Sequence, residues 1–135
     1  MVALIRAAVK AVILNEKDQI LVLVQENNGR KIIDLPGGKV EFGENPYDTL
    51  RRELKEEVFV DLVSIEKCLG VWYFIKQGKE EQIVCTTFLC KVSGSLDITK
   101  NPAQESIIEA KFVSKDEFLK IVDNISLKDL IRKNL

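Results

Sequence analysis

Apolar positions along this chain follow two periods, and the change from one to the other predicts its elements. Residues 6–14 (RAAVKAVIL) and 20–25 (ILVLVQ) are apolar runs of strand length, and the polar stretch Asn15, Glu16, Lys17 and Asp18 joins them through a turn. Lys31 to Leu35 predicts a short strand. Pro36, Gly37 and Gly38 end it and give the backbone freedom to turn tightly. A helix is predicted over 46–58, with Asn45 as N-cap, Pro46 at the first helical position and Asp48 at the positive end of the dipole. Longer strands follow at 62–75 and 81–92, turned at Gln77, Gly78 and Lys79. A shorter strand near 96–98, a loop around Asn101 and Pro102, and a strand at 107–113 complete the sheet material. Ser114 and Glu117 form a capping box for a helix through about residue 122. Ser126 caps a last helix carrying Leu127, Leu130 and Ile131. Strands with one helix embedded among them predict an α+β domain.

On a wheel of about 100° per residue the 47–58 segment separates into sectors. Tyr47, Leu50, Leu54 and Val58 share the face that packs on a sheet, and Arg51, Arg52 and Lys55 fan out beside it. Glu53, Glu56 and Glu57 fill the remaining sector, so three carboxylates project into one small volume. As a purely structural choice this is poor. Like charges three and four residues apart cost roughly 0.2–0.5 kcal/mol per pair, and acids in a last turn oppose the macrodipole at roughly 0.3–1 kcal/mol each. A solvated charged face softened by the flanking basic residues is the plain alternative. A bound divalent cation reverses the balance, because Mg²⁺ and Mn²⁺ take oxygen ligands and sit on carboxylates, waters and substrate phosphates.

The totals narrow the chemistry further. The 135 residues are sized for one domain, 1–135, and 20 Lys+Arg against 21 Asp+Glu give a formal net charge of −1. That balance carries no footprint for a nucleic acid polymer, which needs a clustered excess of cations. Phosphate chemistry here acts on small molecules. The chain has no histidine, which removes Ser-His-Asp and Cys-His pairs, imidazole bases and the usual zinc sites together. Proton transfer falls to carboxylates, lysines, tyrosines or metal-bound water. Cys68, Cys85 and Cys90 lack metal-ligand spacing and read as buried reduced thiols, with Cys85 and Cys90 on opposite faces of one strand. No apolar run approaches the ~18 residues of a membrane span, and Arg6 and Lys10 interrupt the N-terminal segment. The expected location is cytoplasmic.

Gly38, Glu44, Arg52, Glu53, Leu54, Glu56 and Glu57 stand at the offsets of the Nudix box: Gly, five residues, Glu, seven residues, then Arg-Glu-apolar-any-Glu-Glu. Leu35-Pro36-Gly37-Gly38-Lys39-Val40-Glu41 is similar to that family's entry loop, and the chain as a whole resembles a MutT-like member. The resemblance implies a Nudix fold, a mixed sheet sandwiched between helices with a loop–helix–loop catalytic box. It also implies Mg²⁺- or Mn²⁺-dependent hydrolysis of a nucleoside diphosphate linked to another moiety X. Carried over by position, Glu56 and Glu57 are metal ligands, and Glu53 is a ligand or the base that orients water. Arg52 is catalytic by steadying a box carboxylate, with Glu44 as its structural partner. Gly37, Gly38 and Lys39 meet the substrate. A further acid from a later loop is expected at Glu105, with Glu109 in reserve. A homodimer is a family-level expectation.

One position departs from the pattern. Phe59 stands where the box places glycine, and a left-handed Phe costs roughly 1–2 kcal/mol, so the expectation is that the helix runs on past Phe59 or the turn takes another route. Gly37-Gly38-Lys39 is no P-loop, since Val40 replaces its Ser or Thr. Trp72, Tyr73, Phe74 and Phe42 are candidates to stack on a base, against the plainer reading that strand aromatics fill cores. Ile83, Cys85 and Thr87 alternating with Val84, Thr86 and Phe88 predict a strand buried on both faces. The expected substrate is a nucleoside triphosphate, oxidised ones included, giving a nucleoside monophosphate and pyrophosphate. ADP-ribose or a nucleotide sugar stands second. The rivals from other classes are a Nudix-fold nucleotide-binding module without turnover and a structural domain.

Overall fold

The computed structural model describes residues 2–76, 78–101 and 106–135. A four-stranded sheet holds β1 (Leu4–Ile13), β4 (Gly37–Lys39), β5 (Asp61–Lys76) and β6 (Glu81–Ser93) in the order β4-β1-β6-β5. A three-stranded sheet of β2 (Ile20–Asn27), β3 (Arg30–Asp34) and β7 (Ile107–Val113) runs in the order β3-β2-β7. Among the described residues β1 and β6 are the one parallel pair, so the four-stranded sheet is mixed and the three-stranded sheet antiparallel, within the α+β class expected.

Period-two alternation on β1 feeds two cores. Val9, Ala11 and Ile13 face α1 (Pro46–Val58), where Leu50, Leu54 and Val58 are fully buried beside Leu21 and Leu23 of β2. Ala8 and Val12 face the other way. They meet Trp72, Ile83 and Cys85, with Phe118 of α2 (Lys115–Ile121) and Leu127 and Ile131 of α3 (Ile125–Asn134) closing that side. Each fully buried Leu contributes roughly 1.5–3 kcal/mol, so the Leu50–Leu54–Val58 stripe fixes α1 across the sheet. Tyr47 starts that stripe but stays half exposed, its ring tilted against Phe88 at 5.6 Å. Cys85 lies in one core and Cys90 in the other, as odd spacing on β6 requires, and β6 is buried on both faces through Ile83, Cys85, Thr87 and Phe88. Burial pushes the Cys85 thiol to about 11 and the Cys90 thiol to about 12, which keeps both protonated, whereas Cys68 is exposed against the expectation of a buried thiol.

The helix at 46–58 starts where the capping signals place it, with the Asn45 side chain accepting from the Tyr47 N–H. Four local expectations change. Gly37–Lys39 is a strand, not a turn: it pairs antiparallel with β1, Val9 opposite Gly38. Residues 96–98 form no strand, because Asp97 accepts from the Thr99 N–H at 2.9 Å and starts a 3-10 turn, Ile98–Lys100, instead. The last helix is capped by Asn124, whose Oδ1 accepts from the Leu127 N–H, while Ser126 donates to the Tyr73 carbonyl. Phe59 takes the left-handed conformation itself, at φ 60° and ψ 35°, so the helix neither runs on nor finds another exit. Its N–H donates to the Lys55 carbonyl, and the Lys55 ammonium lies 4.4 Å from the ring centroid. A cation–π contact of roughly 0.5–1 kcal/mol offsets part of the strain. The expected turn residue Gln77 and loop residue Pro102 lie outside the described residues.

Candidate active site

Pairing of β4 with β1 brings two glycines under the acidic side of α1. The Gly37 N–H donates to Glu57 Oε1 at 2.8 Å. Gly37 has φ 138°, and a Cβ there would strike the Val9 carbonyl. At Gly38 a Cβ would stand 2.5 Å from the Glu53 carboxyl carbon. Neither position admits a side chain: Gly38 leaves room for the Glu53 carboxylate of the helix lying against the strand, and Gly37 packs on the β1 backbone. Glu53 and Glu57 are therefore buried, 8% and 3% exposed, although both are acids on a surface helix.

Arg52 organises the rest. Its Nε and Nη2 bind both oxygens of Glu44, at 2.9 and 3.1 Å. Nη1 reaches Glu53 Oε1 at 3.0 Å and Glu56 Oε2 at 3.4 Å, and Glu41 stands 3.8 Å from Nη2. Thr49 Oγ1 adds a 2.6 Å bond to Glu44. The Arg52 and Thr49 bonds hold the Glu44 carboxyl down at about 2, and the same pairing raises the Arg52 guanidinium further above its ordinary value. One guanidinium thus offsets much of the repulsion that the helical wheel predicts.

A cavity of about 440 Å³ opens beside this helix. Gly37, Gly38, Lys39, Glu41, Glu53 and Glu57 line it, together with Arg6, Phe74, Lys76 and Ile83. Glu56 does not line it, being turned to Arg52. Among the described residues, no group of three or more His, Cys, Asp or Glu side chains is gathered closely enough to hold a metal ion. The trio Glu53, Glu56 and Glu57 is thus not brought to one point in this arrangement, whereas Glu53 and Glu57 are brought to the same cradle. Two buried carboxylates with an all-oxygen donor set fit a hard divalent cation, which completes its shell with waters and substrate phosphates.

Lys39 binds Glu81 at 3.0 Å. Glu105 lies outside the described residues. Glu109 is exposed on β7 opposite Val24, 3.7 Å from Lys111, and does not line the cavity. Trp72 is a core residue whose indole N–H donates to Thr87 at 2.8 Å. Phe74, stacked on Trp72 at 5.9 Å, is the aromatic that reaches the cavity, while Phe42 is fully exposed.

Sequence reasoning missed Lys10 and Asp34. The Lys10 ammonium is buried, 2.9 Å from Asp34 Oδ2 and 3.3 Å from the Leu35 carbonyl. Burial alone would lower its pKa, but Asp34 and Glu57 overcome that and hold it above 10.5. The available signal was a lysine in the middle of an otherwise apolar strand, where a charge needs a partner.

This loop–helix–loop seating of carboxylates on a glycine strand, in a mixed sheet between helices, defines a class. The NUDIX domain model matches residues 4–133, and the chain belongs to that family, whose members use divalent metals such as Mg²⁺. Among curated relatives, an "ADP-ribose pyrophosphatase" of Bacillus subtilis is 28% identical over 74% of this chain and 52% of its own length. A "MutT-like protein" of Streptomyces ambofaciens is 31% identical over 70% of this chain and 56% of its own. The chain spans about half the length of these relatives. The solved structure of a MutT protein from Methanosarcina mazei Go1 matches with a TM-score of 0.82 at 24% identity, covering 98% of this chain and 94% of that one. At that identity the likeness establishes the fold. Among the described residues no helix is long and apolar enough to cross a membrane.

Proposed function

We propose that residues 1–135 work as one NUDIX domain that hydrolyses a phosphoanhydride bond in a nucleoside diphosphate linked to X, using Mg²⁺ or Mn²⁺. The observation that carries this reading is the burial of Glu53 and Glu57 against Gly38 and Gly37 at the wall of an open cavity. A structural helix has no reason to bury two acids there. Glu53 and Glu57 would hold the cation, with Glu56 joining on release from Arg52. When bound, the cation neutralises phosphate charge and acidifies a water molecule.

The chain's own groups do the rest. Glu57 is held in place by the Gly37 N–H, and Glu53 by Arg52, itself anchored on Glu44. Glu53 accepts the proton of the attacking water, which adds to one phosphorus while the anhydride oxygen leaves with the other half of the substrate. Gly38 and Lys39 meet the phosphates. Nucleoside triphosphates, oxidised ones included, are the leading substrate, giving nucleoside monophosphate and pyrophosphate. ADP-ribose is second, supported by the name of the Bacillus relative. We place the protein in the cytoplasm, acting on small nucleotides.

A nucleotide panel with Mg²⁺, read by phosphate and pyrophosphate release, tests the proposal. Glu57→Gln is expected to lower kcat at least roughly 100-fold, the scale of losing one electrostatic group, with an unchanged unfolding midpoint. Tight nucleotide binding without turnover of any member would instead favour a binding module.

A further inference from the structure

The cavity has a second end that the hydrolytic reading leaves unused. Strand register fixes its layout. Lys10 of β1 pairs with Thr87 of β6 and lies beside Gly37 of β4, at the carboxylate end. Four residues towards the start of β1, Arg6 pairs with Ile83, and Ile83 with Phe74 of β5. One step further out, Leu4 pairs with Glu81 and Glu81 with Lys76. Residues two and four apart on a strand share a face, so Arg6 looks into the same cavity as Lys10, about 13 Å away along the strand.

Charge separates along that line. Asp34, Glu53 and Glu57 line the inner end around Lys10, Lys39 stands midway opposite Ala8, and Arg6 and Lys76 line the outer end, with Glu41 also on the wall. Glu81 is the carboxylate among those cations, 3.0 Å from Lys39 and 3.7 Å from Lys76. Arg6 is exposed, and its charge acts on the Glu81 carboxyl together with those of Lys39 and Lys76. Lys39 crowds Lys76 and lowers the pKa of its ammonium. Three cations around one carboxylate leave an excess of positive charge at a concave apolar floor of Ala8, Ile83 and Phe74, and an anion seated there relieves it.

Resting on the proposed hydrolysis, we infer that Arg6 and Lys76 bind a free anionic group on X, so that the cavity selects nucleoside diphosphates extended by phosphate over those extended by a neutral sugar. The cation at the carboxylate end takes the diphosphate, and the basic end takes the charge beyond it. Arg6 and Lys76 are specificity-determining residues in this arrangement, and their effect falls on KM.

The test compares GTP and ATP with ADP-ribose and UDP-glucose, each with Mg²⁺, for the full chain and for Arg6→Gln, Lys76→Gln and their combination. Wild type is expected to prefer the triphosphates. Each single variant is expected to cut the triphosphate-to-sugar ratio of kcat/KM by about tenfold, as for loss of one charge-assisted hydrogen bond. The loss falls mainly on KM, and Arg6→Lys recovers most of it. A wild-type preference for ADP-ribose, or a double variant that lowers both substrate classes equally or neither, overturns the inference. If wild type turns over nothing, the hydrolytic proposal fails on its own. Calorimetric binding of inorganic tripolyphosphate then decides for the basic end: binding weakened at least about tenfold in the double variant supports it, and no binding or unchanged binding overturns it.

Discussion

The two faces of β1 are built from alternate residues of the same ten, yet they have opposite fates. One face, Val9, Ala11 and Ile13, is sealed by the Leu50–Leu54–Val58 stripe of α1. The other face is core at Val12 and Ala8, packed with Trp72, α2 and α3. At Lys10 and Arg6 the same face lines a cavity. α1 serves both: its apolar stripe closes the first face, and its acids, one turn round, wall the cavity that opens beside the second. A site needs a rigid wall and an opening, and this sheet supplies the wall by packing one side and the opening by leaving part of the other unpacked.

The comparison can be broken at several points. Leu54→Ala, on the sealed face, is expected to destabilise most, by about 2–5 kcal/mol, because the site is fully buried and a cavity remains. Urea unfolding measures it. Should the loss be under about 1 kcal/mol, α1 is not held by its stripe. Lys10→Met tests the open face. It strands the Asp34 carboxylate, itself partly exposed, and is expected to cost about 1–3 kcal/mol. Asp34→Leu in the same chain should restore much of that, and a double-mutant cycle gives the coupling.

Glu44→Gln tests the Arg52 clamp through pH. Glu44 titrates at about 2 in the folded chain against an ordinary 4.5, so its ionised form is favoured by folding. Its contribution is present above pH 4.5 and is lost as the pH falls from there through about 2. The stability difference between wild type and Glu44→Gln should therefore be flat above pH 5 or so and close on acidification. A difference that widens on acidification contradicts the clamp. The smallest effect belongs to Phe59→Gly. Relief of left-handed strain, less the lost Lys55 contact and the entropy of glycine, leaves a gain of about 1 kcal/mol or less. Phe59→Ala keeps the strain and loses the ring, so it should be less stable than wild type.

Much of this was written in local sequence. Asn45 and Pro46 fixed the start of α1 and the 3.6-residue stripe its extent, whereas the left-handed exit at Phe59 ran against expectation. The strands followed from period two, except where a polar side chain offered the backbone a competing bond, as Asp97 does, or where pairing partners were needed, as at Gly37–Lys39. The offsets from Gly38 to Glu57 carried the family. What they did not carry is what the glycines face: Gly37 takes a φ of 138° and lies against the β1 backbone, while Gly38 leaves room for the Glu53 carboxylate.

Tertiary structure alone decided which acids are buried. Glu53, Glu56 and Glu57 are equivalent on a wheel, and the sheet beside the helix makes them different, with Glu53 and Glu57 buried and Glu56 left half-buried. It also decided that Lys10 would meet Asp34, 24 positions away, and that Arg6 and Lys76 would share a cavity. Periodicity records which way a residue points along its own element. What it points at is set by strand order and register, and those are fixed only when the whole sheet closes.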